Sequence, residues 1–266
     1  MSDVLTMGVD VGSTASKGII LKDGKEIVAS SIVPFGTGTS GPKKVKDDLF
    51  SKSEITIEDI ANTVVTGYGR IKYKSEEDTQ ISELSCHAKG VNFQLPSVRT
   101  IIDIGGQDAK AMKLDKDGRM TNFVMNDKCA AGTGRFLDVM SNVLMVEVSE
   151  LGDIDKKATA PVAISSTCTV FAESEVISQL SGNAKLEDII AGIHISVANR
   201  VAGLVKRIGV EEDVAMVGGV AQNSGIVRAL ERALNVKIIV PKNSQLNGAL
   251  GAAVFAYEKM GGKNVW

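Results

Sequence analysis

The sequence predicts an α/β fold of two duplicated lobes, each a mixed sheet flanked by helices. Three observations carry this. A β-β-β unit opens the chain and returns near residue 100, each copy with an Asp ahead of a Gly-rich hairpin and an Asp-Gly turn further on. A third glycine pair, Gly218-Gly219, follows a short apolar strand and precedes a helix. The rest of the second half is mostly helical by its apolar spacing. Any Gly-bounded hairpin resembles another, so the matched Asp positions carry the repeat: Asp10 lies 13 residues before Asp23, and Asp103 lies 14 before Asp117. Internal self-similarity of this kind signals duplication. The lobes are expected at 1–95 and 96–266, with the last helix free to cross back and a ligand cleft between them.

In order, residues 5–11 alternate as a strand into Gly12-Ser13-Thr14, and residues 16–22 return as a second. Asp23-Gly24 is a hairpin signal, and residues 26–33 make a third strand. A Gly, Thr and Ser-rich loop from Gly36 to Gly41 closes at Pro42. Helices are expected over 43–52 and 56–62, then a short strand over 63–66 ending at Gly67-Tyr68-Gly69-Arg70. Residues 81–93 read as a helix. The pattern then repeats: strands over 99–104, 108–114 and 119–125, with turns at Gly105-Gly106 and Asp117-Gly118. Helices follow over 131–144, 171–180, 186–208, 224–234 and 247–260, with a polar, short-helical stretch over 147–157. Strands are expected over 214–217 and 236–240, the latter stopped by Pro241. The tail from 261 to 266 is expected to fray.

A chain of 266 residues with 44% hydrophobic and 23% charged residues can bury a full core. Its net charge of −2 makes no bulk electrostatic case for nucleic acid. Two histidines, His87 and His194, leave little for a His-based metal site. Three cysteines, an odd number, argue against a secreted disulfide scaffold. No signal peptide and no membrane-length apolar run stand out, so a reducing cytoplasm is the expected place.

Asp10-Val11-Gly12-Ser13-Thr14-Ala15-Ser16-Lys17 is strand-turn-strand, not strand-helix. It therefore fails the Walker A and dinucleotide patterns, which need a helix after the glycines. A tight hairpin still presents a concave set of N–H groups to phosphate. Ser13, Thr14 and Ser16 add hydroxyls, Lys17 adds a charge, and Asp10 is placed to hold a hydrated Mg2+. Asp103-Ile104-Gly105-Gly106-Gln107-Asp108 offers an opposing wall, and Gln107 a side chain that could orient an attacking water. Either Asp alone reads as an ordinary strand-end residue; the two with Gly218-Gly219 read as a nucleotide clamp. The Gly218-Gly219-Val220-Ala221-Gln222-Asn223 turn either takes a flat adenine or ribose on bare backbone or is a close packing turn.

Two cysteines each sit just ahead of an expected helix: Cys129 in Lys128-Cys129-Ala130-Ala131-Gly132-Thr133-Gly134, and Cys168 in Ser166-Thr167-Cys168-Thr169-Val170-Phe171. A helix N-terminus lowers a thiolate's pKa and suits an anionic cluster. Two thiolates cannot close a four-ligand site, but two copies of the chain can, and Fe–S clusters are commonly held by four cysteines. A disulfide, or two small buried residues, remains the alternative from spacing alone. Lys128 and Arg135 flank Cys129, either to tune charge or simply exposed. Cys86-His87 and His194 read as core residues, and Glu173 and Glu175 as first-turn carboxylates favouring the helix dipole.

The Asp10 hairpin, the Asp103-Ile104-Gly105-Gly106 hairpin and the Gly218-Gly219 turn resemble the actin/Hsp70/sugar kinase ATPase superfamily. That implies ribonuclease-H-like lobes and a nucleotide cleft between them. With the two cysteine motifs, the whole chain is similar to the ATP-dependent activators (component A) of 2-hydroxyacyl-CoA dehydratases. It is most like those of 2-hydroxyisocaproyl-CoA and 2-hydroxyglutaryl-CoA dehydratase, leaning to the former and to amino-acid fermentation. The resemblance implies an oxygen-sensitive homodimer with one 4Fe-4S cluster between subunits, ligated by Cys129 and Cys168 of each. Reduced ferredoxin or flavodoxin would supply an electron, and ATP hydrolysis would drive it into the dehydratase to start radical dehydration. Asp10 and Asp103 would serve Mg2+ and the attacking water. Gly12 to Lys17 and Gly105-Gly106 would hold ATP or ADP phosphates, and Gly218, Gly219 and Gln222 would lie at the adenosine. The ATPase subunits of benzoyl-CoA reductase share these motifs, and a small-molecule kinase of the same superfamily is the further alternative.

Overall fold

The computed structural model describes residues 3–73, 78–165 and 168–261. The chain divides into two units. The first comprises Met1–Ser97, Asp117–Arg119 and Leu246–Trp266, the second Val98–Lys116 and Met120–Gln245.

The first unit carries strands β1 (Leu5–Val11), β2 (Ser16–Lys22), β3 (Glu26–Val33), β4 (Ile60–Thr66) and β5 (Thr79–Gln80) in the order β3-β2-β1-β4-β5. The second carries β6 (Thr100–Ile104), β7 (Ala109–Leu114), β8 (Met120–Asn126), β9 (Val214–Val217) and β10 (Ile238–Ile239) in the order β10-β9-β6-β7-β8. In both, three consecutive strands pair antiparallel and later strands add parallel to the first of them. The duplication extends to register: Asp10 faces Lys17 across β1 and β2, and Asp103 faces Lys110 across β6 and β7. Both sheets are thus mixed and flanked by helices, as the sequence predicts.

Helices are α1 (Gly41–Ser51), α2 (Glu83–Gln94), α3 (Gly134–Leu144), α4 (Leu151–Ile154), α5 (Thr169–Ser181), α6 (Leu186–Lys206), α7 (Ser224–Leu234) and α8 (Asn247–Lys259). α8 packs on β1, β2, β4 and α2 of the first unit. Glycine permits this approach: a Cβ on Gly251 would meet the Cys86 carbonyl oxygen at 1.8 Å, and one on Gly8 the Ala249 oxygen at 2.0 Å. α6 is long and apolar enough to cross a membrane, but its apolar window is 72% buried. It is a core helix, packed against β7, α5 and α7.

Several boundaries differ from expectation. The helix expected over 56–62 is one 3₁₀ turn, Ile57–Asp59, closed by a Thr56–Asp59 capping box. From Ile60 the chain is strand, because β4 pairs in parallel with β1. The helix expected from 81 begins at Glu83, where the Ser82 side chain accepts from the Ser85 N–H; ahead of it Thr79–Gln80 forms an edge strand on β4 that the sequence reading did not place. The strand expected over 236–240 shortens to Ile238–Ile239. α5 begins at Thr169, so Glu173 and Glu175 lie beyond its first turn and do not cap it. The expected fraying tail lies outside the described residues from 262 on, as do Ser166 and Thr167 of the second cysteine motif.

Candidate functional site

In the first unit, β1 turns into β2 through Gly12–Ala15, closed by a Gly12 N–H to Ala15 carbonyl bond of 3.0 Å. Asp10 ends β1 and is almost wholly buried. Lys17 reaches back to it, Nζ to Oδ2 at 3.2 Å. The Gly36–Gly41 loop and the Gly67–Arg70 turn close on this hairpin: Thr37 N–H donates to the Gly12 carbonyl at 2.9 Å, and Gly69 N–H to that of Val11 at 2.8 Å. Ser13 and Thr14 stand at the accessible tip beside Ala15. Ser16 is buried, and its hydroxyl donates to the Phe35 carbonyl at 2.7 Å, fastening the loop.

The second unit repeats this. Gly105 N–H donates to the Asp108 carbonyl at 2.9 Å. Asp103 is buried at the end of β6, with Lys110 Nζ 3.4 Å from its Oδ2 and 2.8 Å from Asp108 Oδ1. Lys110 is 2% exposed, and sequence reasoning missed it. The signal was present: Lys110 follows Asp103 at the spacing by which Lys17 follows Asp10. A buried cation persists only where anions meet it, so each hairpin carries its own charge-offset carboxylate. Gln107 is exposed at the tip, in the place of Thr14.

Gly218 lies against this second hairpin. Its φ of +87° is one that glycine adopts without strain. A Cβ there would fall 2.4 Å from the Ile104 oxygen and 2.6 Å from Asp103 Oδ1. Gly219 opens a 3₁₀ turn, Gly219–Gln222, rather than a helix directly. Gly219 and Gln222 are exposed, and Gln222 Nε2 donates to Ser244 Oγ at 2.7 Å. The structure therefore brings together Asp103, Gly105, Lys110 and Gly218 in one unit, and Asp10, Gly12 and Lys17 in the other.

The three cysteines separate by environment. All have free thiols. Cys86 is fully buried, and burial pushes its thiol up to about 12. Such a sulfur is an inert hydrophobe. Cys129 and Cys168 are half-buried. Cys168 is the N-cap residue of α5, in extended backbone, with no carboxylate in the helix's first turn. Cys129 corrects the expectation: α3 starts at Gly134, not at 131. Its leading N–H groups are taken, Gly134 by the Gly105 carbonyl at 2.9 Å and Arg135 by that of Gly106 at 2.8 Å. Cys129 instead sits in a turn held by Asn126 Nδ2 donating to its carbonyl at 2.9 Å. The helix dipole argument thus applies to Cys168 and not to Cys129. Lys128 and Arg135 are both exposed. Two accessible, unpaired thiols per chain fit half of a four-thiolate iron site.

A buried network ties this unit together. His194 Nδ1 lies 2.7 Å from Asp155 Oδ2, and Nε2 lies 3.2 Å from Asn223 Nδ2. Asn223 Oδ1 accepts from Gly225 and Ile226 N–H groups, capping α7. Its Nδ2 therefore donates to His194, whose proton sits on Nδ1 and goes to Asp155. Arg228 closes on the other Asp155 oxygen. Asp188 accepts from Thr159 and Ala160 N–H groups at 2.7 and 2.8 Å, anchoring the segment that leads to Cys168. Burial pushes the Asp155 carboxyl up, but His194 and Arg228 outweigh it and hold it below the usual range. Its stabilisation is present above the pKa of an unfolded aspartate and is lost as pH falls through the lowered folded value. Asp155→Ala should cost about 3 kcal/mol at neutral pH by urea unfolding, and the penalty should shrink in acid.

A family model described as the BadF/BadG/BcrA/BcrD ATPase family matches residues 7–256. The 2-hydroxyisocaproyl-CoA dehydratase activator of Clostridioides difficile is 65% identical over 254 residues, 96% of this chain and 95% of its own length. The (R)-2-hydroxyglutaryl-CoA dehydratase activating ATPase of Acidaminococcus fermentans is 60% identical over 256 residues, 96% of this chain and 98% of its own. A solved structure of the 2-hydroxyisocaproyl-CoA dehydratase activator from Clostridium difficile with bound ADPNP matches with a TM-score of 0.95 at 63% identity, covering 99% of this chain and 100% of that one. The architecture is that of the actin and sugar kinase ATPases. With its paired Asp–Lys hairpins, the chain belongs to the BadF/BadG/BcrA/BcrD ATPase family and, within it, to the activating ATPases of 2-hydroxyacyl-CoA dehydratases.

Proposed function

We propose that this ATPase drives single electrons into a 2-hydroxyacyl-CoA dehydratase, with 2-hydroxyisocaproyl-CoA dehydratase the first choice of partner. Reduced ferredoxin or flavodoxin is the donor, and a homodimer is the working form. Cys129 and Cys168 of each copy hold one 4Fe-4S cluster, which supplies one-electron chemistry at low potential. The Gly12–Lys17 and Gly105-Gly106 hairpins hold the phosphates of ATP or ADP. Asp10 and Asp103 serve Mg2+ and the attacking water, which Gln107 helps to orient. Gly218, Gly219 and Gln222 lie at the adenosine. Ser16 acts by fastening the hairpin, since its hydroxyl is committed to Phe35.

One observation carries the coupling. The carbonyls of Gly105 and Gly106 bond the first N–H groups of α3, and the turn ahead of α3 bears Cys129. A Cβ on Gly134 would stand 3.1 Å from the Gly105 oxygen, so the two backbones are in direct contact. A phosphate held on that hairpin thus acts one short turn from a cluster ligand. Solvent access and hydrogen bonding at the sulfurs tune an iron-sulfur potential.

The protein, purified without oxygen, should contain about four irons and four sulfides per dimer. Adding MgATP should change the rate at which a chelator strips the iron by at least about fivefold, the lower end of typical allosteric coupling. An iron-free protein that phosphorylates a small molecule would replace this reading with that of a kinase. A cluster indifferent to nucleotide would sink the coupling.

A further inference from the structure

A cavity of about 300 Å³ opens beside the turn that bears Cys129. The turn supplies one wall, with Asn126, Ala131 and Gly132. Asn126 braces that wall: its Nδ2 donates to the Cys129 carbonyl at 2.9 Å and to that of Ala131 at 3.4 Å. α6 supplies the other wall. Arg200, Gly203 and Arg207 recur at helical spacing, so one stripe of α6 faces the cavity. The Arg200 stem lies along the turn, since a Cβ on Gly132 would stand 3.3 Å from its Cδ. A Cβ on Gly203 would meet nothing within 4 Å, so the ground between the two arginines is open.

Two guanidiniums thus line the cavity, and no carboxylate among the described residues does. Arg207 is exposed and pairs with no carboxylate among the described residues. A cation in the last turn of a helix answers the helix's negative end. That accounts for Arg207 alone, but not for Arg200 two turns earlier on the same stripe. Met125, exposed near the end of the edge strand β8, adds an apolar rim. Arginine and methionine are both enriched where proteins meet. The net charge of −2 gives an anionic partner no general attraction, and Asp127 and Lys128 on the turn offset each other. Attraction for such a partner is therefore local, and the two arginines supply it.

We propose that this cavity docks an acidic electron carrier, whose surface carboxylates pair with Arg200 and Arg207 and so bring its redox centre to the Cys129 turn. Guanidinium forks take carboxylates in paired, charge-assisted hydrogen bonds. Electron-transfer encounters are small, and complementary charge supplies their rate and register. In the step served, one electron leaves the reduced carrier and enters the cluster, and no bond forms or breaks. The inference rests on the electron transfer proposed above and on Cys129 as a ligand.

The test compares Arg207→Glu and Arg200→Gln with the unaltered protein, purified without oxygen. Binding of an oxidised, acidic ferredoxin is measured by calorimetry, so that no electron need move, and cluster reduction by the reduced ferredoxin is then followed in a stopped flow. Affinity should fall at least about tenfold in Arg207→Glu and about threefold or more in Arg200→Gln. The unaltered protein should bind more weakly as salt rises from about 50 to about 300 mM, and Arg207→Glu should lose most of that dependence. Reduced methyl viologen, a small cation, needs no such dock, and its rate should not fall in either variant. Unchanged affinity in both variants, binding indifferent to salt, or an equal loss of rate with both reductants would overturn the proposal. Normal ferredoxin binding with a defect only in activating the dehydratase would overturn it as well and assign the cavity to that partner. Arg207 is exposed at a helix end, so its variant reports even if Arg200→Gln loosens the turn. An iron-loaded protein that ferredoxin binds and reduces equally well with or without Arg207 would overturn this inference alone; an iron-free protein would overturn the electron-transfer reading with it.

Discussion

Asp10→Asn should reduce ATP hydrolysis by at least about a hundredfold while leaving the fold intact. Phosphoryl transfer depends on positioned charge more than on covalent chemistry by the protein. Asp10 is a carboxylate at the end of β1, with Lys17 3.2 Å away and the Gly12 turn beyond it. The neutral amide keeps the shape and removes the charge that Mg2+ and its waters would meet. It also leaves Lys17 without its carboxylate partner at 3.2 Å, so a modest loss of stability, about 1 to 3 kcal/mol, should accompany the loss of rate. Phosphate release and thermal unfolding, measured together, separate the two effects. Asp103→Asn should behave alike in rate, with a smaller stability cost because Lys110 keeps Asp108 as a carboxylate partner at 2.8 Å. A normal rate in both variants would remove the hairpins from the site.

Cys129→Ala and Cys168→Ala should each abolish iron binding and weaken the dimer, while Cys86→Ala keeps both. The structure already separates the three. Cys86 is sealed, with a thiol raised to about 12, and cannot offer a thiolate at neutral pH. The other two are accessible and unpaired. The proposed four-thiolate site would lose two of its ligands, one from each copy, with no protein replacement within the motif. Iron content, visible absorption and mass in solution check all three variants. Cluster absorption retained in either of the first two would withdraw that residue as a ligand. Cys129 and Cys168 should also differ in degree: α5 lends its positive end to Cys168, whereas the first N–H groups of α3 are spent on Gly105 and Gly106.

What was legible in the sequence was local. The Asp-before-glycine hairpins, the Asp-Gly turns and the alternation of strands act over a few residues, and the structure shows them where the pattern placed them. The Asp–Lys spacing was equally visible; its meaning for Lys110 was not, because spacing does not say that a cation will be buried. The misplaced boundaries are those set by partners elsewhere in the chain. Ile60 joins a strand because β1 is beside it, and α3 starts late because the Gly105 and Gly106 carbonyls hold its first N–H groups.

The sequence by itself determined the duplicated fold class, the two hairpins and the two cysteines that stand apart from the third. Only the tertiary structure decided that the second hairpin is bonded to the helix behind Cys129, that α8 packs on the first sheet, and that the Asn247 side chain donates to the backbone carbonyl of His87. The reason is physical. Turn and strand preferences are paid out between neighbours in the chain, whereas a hydrogen bond between residues 160 apart exists only once packing has brought its donor and acceptor together.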